Sequence, residues 1–234
     1  DTSREFLAFI TLDEELEAIM KALRRLQRPG SPAAEGSDAL PPRFRADRRL
    51  DKLRRAKSWD ELRSACSGGI YAPVLASLEL DEKTGLPPLS AAVTAMESRF
   101  FGSLASYMRT GYDGPAKREL IRAVSFRADM LNISYLLRLR RFGTPPEKAS
   151  GLLLSLRGDI TREVERAVLA AGSDEEALEI VRGTHAGHWL PRDAGLESPE
   201  ALVRAAQIAY FRKVLHGPLN LAAVYAFITL KEYE

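Results

Sequence analysis

With 234 residues, 45% of them hydrophobic and 28% charged, the chain can bury the core of one large or two modest domains. A net charge of +2 excludes a polyelectrolyte that binds nucleic acid through bulk charge. The single cysteine, Cys66, excludes an internal disulfide and fits a reducing compartment, and no apolar run is long enough to span a bilayer.

The first helical pattern covers residues 5–27. Phe6, Phe9, Ile10, Leu12, Leu16, Ile19, Met20, Leu23 and Leu26 give it a broad apolar face. Acidic residues precede basic ones along it, an order that favours pairs such as Glu17 with Lys21. Pro29 and Gly30 end it, and residues 28–42, rich in Pro, Gly and Ser, read as a linker. From Arg43 to Lys57, eight Arg or Lys stand against Asp47 and Asp51. That run is either an anion-binding strip for nucleic acid or acidic lipid, or a solvated helix face over Leu50 and Leu53.

Ser58-Trp59-Asp60-Glu61 is a capping box that starts a helix, and Gly68-Gly69 ends it. A short helix at 72–78 and a loop at 79–88 follow. Apolar positions from Leu89 to Tyr107 then step by three or four. The longest helical pattern follows the break at Gly111, Gly114 and Pro115. Its last turn is basic, with Arg138, Arg140 and Arg141, and Gly143 caps it ahead of Pro145-Pro146. Asp129 and Asn132 lie within its apolar body and need hydrogen-bond partners, expected on neighbouring helices. Further helices are expected at about 145–150, 159–171, 173–182 and 198–216, with a loop at 183–196 and a last helix from Pro218. No period-2 strand is visible, so the expected fold class is all-α.

The chain resembles itself. Ser58-x-x-Glu61 and Gly68 return 115 residues later as Ser173-x-x-Glu176 and Gly183. The same offset sets Glu14 on Asp129, Ala8 on Ala123 and Arg25 on Arg140. Ala8-Phe9-Ile10-Thr11-Leu12 recurs as Ala226-Phe227-Ile228-Thr229-Leu230, with Glu14 and Glu232 following. Phe100-Phe101 has a counterpart in Tyr210-Phe211. These matches divide the chain into the end of one helical unit (1–28), a linker (29–42), a second unit (43–143) and a truncated third unit (144–234). Because the chain opens on Asp1 and stops at Glu234 inside a helical pattern, it is expected to be an excerpt of a longer protein.

Helical units ending in acid-x-x-Asn-[Leu/Ile]-x-x-[Ile/Leu]-[Leu/Phe]-Arg-x-[Lys/Arg] resemble the C subunit of archaeal and bacterial A/V-type ATPases, called subunit d in eukaryotes. Asp129, Asn132, Ile133, Leu136, Leu137, Arg138 and Arg140 fit that pattern, and Pro218 to Glu234 resembles the start of the family's final such helix. The first unit departs from it, with Glu17 where Asn would stand and Leu23 where Arg138 lies. The resemblance implies a funnel-like, pseudo-three-fold helical collar, without catalytic activity or cofactor. It implies a place in the rotor, at the cytoplasmic face and peripheral to the membrane, coupling the central stalk to the membrane rotor ring in proton or sodium-ion transport. It gives Asp129, Asn132, Arg138, Arg140, Glu14 and Glu232 a role in packing or partner contact.

No GxxxxGK[ST] loop occurs. His185-x-x-His188, with Asp193 as a third ligand, would be the basis of a metal-dependent hydrolase. His216 reads as a partner for a helix dipole, and Cys66 as a small core residue. The alternative function is a nucleic-acid-binding helical protein resting on Arg43–Lys57 and Arg138–Arg141, whereas the resemblance implies no nucleic-acid partner.

Overall fold

The structure, a computed structural model, describes residues 2–28, 48–109, 115–156, 158–192, 198–217 and 220–231. All regular elements among the described residues are helical. The chain is all-α and divides into two compact units, residues 1–103 and 104–234.

In the first unit, α1 (Thr2–Gln27) packs against α2 (Arg48–Arg55) and α3 (Trp59–Ala65). Ile19, Leu23, Leu50, Leu53 and Leu62 fill the space between them and are fully buried. The expected Glu17–Lys21 pair forms on the exposed side of α1 at 3.5 Å. Ser58 caps α3 by accepting from the Glu61 N–H, and the Glu61 carboxylate accepts from the Lys57 N–H. Beyond α4 (Ala72–Ser77), the helix α5 (Leu89–Arg109) runs across the boundary between the units. Its first-unit part is held by Arg99, which donates to the Ile70 carbonyl, and the preceding loop by Gln27, which donates to the Pro87 carbonyl.

The basic run is not uniformly a water-facing strip. Arg49 turns inward, 2.8 Å from the buried Glu15 carboxylate and 3.0 Å from the Cys66 carbonyl. Lys52, Arg55 and Lys57 are exposed. Arg43 to Asp47 and most of the expected 28–42 linker lie outside the described residues.

The second unit is built on α6 (Pro115–Arg141), which packs against α8 (Arg162–Ala170), α9 (Asp174–Arg182), α10 (Pro199–Leu215) and α11 (Leu221–Lys231). Gly143, at φ +62°, closes α6. Its left-handed backbone lets the Thr144 N–H reach the Leu139 carbonyl and its own N–H the Arg140 carbonyl, which satisfies the helix end. After α7 (Pro146–Ala149) and a 3-10 turn at Ser150–Leu152, helix resumes at Arg162, later than the expected 159. The delay has a cause in α6: backbone groups at 154 and 158–160 bond to its side chains instead of to a helix. The expected loop at 183–196 includes a 3-10 turn at Gly187–Trp189, where a Cβ on Gly187 would strike the Val181 carbonyl. Pro218, Leu219 and residues 193–197 lie outside the described residues.

The 115-residue offset is visible in backbone geometry. Ser58 (φ −139°, ψ 164°) and Ser173 (φ −138°, ψ 165°) cap their helices in one conformation. The Glu176 carboxylate accepts from the Gly172 N–H as Glu61 does from Lys57. Arg25 donates to the carbonyl of Ala56, and Arg140 donates to that of Ala171, its equivalent by the same offset.

Candidate functional site

Helix α6 carries an apolar face that includes Phe126, Met130, Ile133, Leu136 and Leu137, all buried. The same wrapping removes Asp129, 1% exposed, and Asn132, 0% exposed, from water. Buried polar groups must find partners, and both find them on the non-helical connector that precedes α8 rather than on a neighbouring helix. Asn132 pairs reciprocally with the Leu154 backbone: its Oδ1 accepts from the N–H at 2.8 Å and its Nδ2 donates to the carbonyl at 3.4 Å. The Asp129 carboxyl accepts from the N–H groups of Gly158 (2.9 Å), Asp159 (2.6 Å) and Ile160 (3.3 Å). A side chain at Gly158 would collide with that carboxyl, so the absence of a Cβ there admits the approach. Burial pushes the Asp129 pKa up, and the three N–H donors oppose the shift. The pair staples Leu154 and Gly158 to Ile160 to α6 and thereby sets where α8 begins. With its oxygens taken by backbone donors, the Asp129 carboxyl is arranged as a structural acceptor.

The basic last turn of α6 is tied down by carboxylates. Arg138 pairs with Glu200 at 3.2 Å. Arg140 and Arg141 converge on Asp174 in the first turn of α9, and Arg140 also holds the Ala171 carbonyl. This joins the negative end of α6 to the positive end of α9 through charged side chains of the favourable sign at each. In the first unit Glu14 lies half-buried on α1, at the position equivalent to Asp129. Glu232 lies outside the described residues. The sequence gives Asp174 no sign of being a partner for the arginines, since it stands at an unspecified position of the Ser173-x-x-Glu176 pattern. Its 34-residue separation from Arg140 gives no local signal.

The other candidates fall in ordinary surroundings. His185 is exposed, with Nδ1 3.3 Å from the Asp159 carboxylate, and His188 is exposed. Asp193 lies outside the described residues, and no cluster of three or more metal-ligating side chains occurs among the described ones. The His216 N–H bonds to the carbonyls of Arg212 and Lys213 at the end of α10. Burial pushes the Cys66 thiol up to about 12, which removes its nucleophilic thiolate at neutral pH. No described helix is long and apolar enough to cross a membrane.

One further feature of the second unit was not visible as a site in the sequence. Trp189 and Tyr210 stand perpendicular at 5.2 Å, and Tyr210 stacks on Phe126 at 3.8 Å. Trp189 and Tyr210, together with Glu119, Arg122, His185, Lys213 and others, line a cleft of about 360 Å³. The aromatic residues come from three separate elements, so no spacing in the chain announces them.

A family model described as ATP synthase (C/AC39) subunit matches residues 1–234, the whole sequence. No curated protein and no solved structure matches the chain.

Proposed function

Because the chain belongs to the ATP synthase (C/AC39) subunit family, we propose that it is the non-catalytic coupling part of an A/V-type rotary ATPase, joining the central stalk to the membrane rotor ring. The family match over the whole chain carries this reading. In it, the protein lies peripheral to the membrane at the cytoplasmic face, and its partners are central-stalk subunits and the ring, which moves protons or sodium ions. The helical units repeat around a pseudo-three-fold axis to form a funnel-like collar. A part that transmits torque needs stiffness, and the internal staples supply a source of it. Asp129 and Asn132 fasten a connector to α6, and Arg140 and Arg141 fasten α9. Asp129 and Asn132 act by fastening that connector and Arg138 and Arg140 by packing between helices, with Glu14 and Glu232 as the acidic counterparts of Asp129 in the other units.

The nucleic-acid alternative draws less support, since Arg138, Arg140, Arg141 and Arg49 each face a carboxylate within their own unit.

The test is depletion of this subunit from the native membrane complex, followed by adding it back. ATP hydrolysis by the detached head should persist, while ATP-driven ion movement should fall to background and return on re-addition. Ion movement that continues without the subunit defeats the coupling role. Recovery of the chain with nucleic acid instead of ATPase subunits defeats the family-based partner assignment.

A further inference from the structure

The cleft of about 360 Å³ in the second unit has the size of a small-molecule site. Glu119 and Arg122 of α6 and Lys213 of α10 line it, beside Trp189, Tyr210 and His185. The Lys213 ammonium lies 5.3 Å from the Trp189 ring centroid. Among the described residues neither Arg122 nor Lys213 has a carboxylate within ion-pair distance. The two carboxylates nearby are already engaged: Glu119 accepts from the Asn220 amide, and Asp159 faces His185. Two cations and the Glu119 carboxylate therefore line one cleft, and neither cation is paired with that carboxylate.

Fold requirements do not explain the set, because the duplicated scaffold does without it. At the 115-residue offset His185 and Trp189 correspond to Ile70 and Val74, and Arg122 to Leu7. At the 110-residue offset that aligns Tyr210-Phe211 with Phe100-Phe101, Lys213 corresponds to Ser103. Cationic and amphipathic groups thus stand in the second copy where the first has apolar or small ones.

We propose that this cleft binds an organic phosphate, with Arg122 and Lys213 taking the phosphate and the Trp189–Tyr210 wall taking the organic part. A phosphate dianion can meet both unpaired cations at once, whereas a carboxylate carries charge for one of them. The planar guanidinium offers two parallel N–H donors to phosphate oxygens, and the ammonium adds a point charge. The Tyr210 ring is braced from behind by Phe126, so its position is fixed before the ligand arrives.

The probe is phenyl phosphate, measured by equilibrium dialysis against the intact chain, with inorganic phosphate and benzoate as comparisons. Saturable binding with a Kd of about 1 mM or tighter is expected, at least about tenfold tighter than either comparison. Arg122→Gln with Lys213→Gln should weaken it by about tenfold or more. Both side chains are exposed, and an unchanged circular dichroism spectrum and melting temperature would show that the variant folds. Absence of saturable binding, equal binding of inorganic phosphate or benzoate, or equal binding by the folded variant overturns the proposal. None of these outcomes depends on whether the chain couples a rotary ATPase.

Discussion

The segment from α1 to α3 and the segment from α6 to α9 share a scaffold and differ in how they satisfy it. Both place an arginine of the long helix on the carbonyl just before the last short helix, Arg25 on Ala56 and Arg140 on Ala171. Both start that short helix with a serine cap in the same conformation. At the first helical position, however, the first copy has Trp59, buried, and the second has Asp174, which holds two arginines. Similarly, the buried Leu50 of α2 corresponds to the buried Glu165 of α8. Backbone hydrogen bonds at chain ends cannot be replaced by apolar contact, so the groups that satisfy them persist. A position between helices accepts either an apolar side chain or a paired charge, provided each is complete, so those positions have diverged.

The largest expected effect comes from the staple. Asp129→Ala leaves three backbone N–H groups without their acceptor and should destabilise the second unit by about 3–5 kcal/mol. Urea unfolding gives the size, and hydrogen exchange should show protection lost at residues 158–160 ahead of α1–α3. Loss spread evenly over both units would break the comparison. Asp129 also has a pH signature. Its folded pKa is raised, so between the unfolded and folded values the folded state holds the extra proton. Its own contribution to stability is therefore fully present below the unfolded pKa and lost as pH rises through the folded one. Asp129→Asn should remove that slope from stability measured across the acidic range.

Asn132→Ala should cost about 1–3 kcal/mol, since it strands both backbone groups of Leu154. A melting temperature equal to that of the parent would reassign Asn132 to partner contact. The paired arginines come next. Arg140→Ala loses a carbonyl and a carboxylate partner, whereas Arg25→Ala loses the carbonyl at Ala56. The former should be the more destabilising by about 1 kcal/mol, a difference that shrinks in high salt because Asp174 is partly exposed. Equal costs would mean that Asp174 adds nothing. The smallest effect sharpens the likeness: Ser58→Ala and Ser173→Ala should each cost about 1 kcal/mol, by matching amounts.

Much of this organisation is local and therefore legible in the chain. Ser58-x-x-Glu61, Ser173-x-x-Glu176, Gly143 and the run of apolar positions on α6 act through contacts within a few residues, so their spacing alone announces caps, stops and buried faces. The need of Asp129 and Asn132 for partners was equally plain, since a polar group in an apolar helix face must be satisfied. Their partners were not plain: a connector's backbone presents the same N–H and C=O whatever its side chains, so nothing local marks Leu154 or Gly158 to Ile160 as the partners. The same holds for Arg49 on Glu15, Asp174 between two arginines, and the meeting of Arg122, Trp189, Tyr210 and Lys213. The sequence by itself determined an all-α chain, its serine caps and glycine stops and the recurrence of its capping motifs, because those follow from short-range periodicity and capping. Only the tertiary structure decided which charges are spent inside the fold and which remain open to a ligand. Pairing across 17 to 34 residues or more is set by how helices pack, and no local rule encodes that.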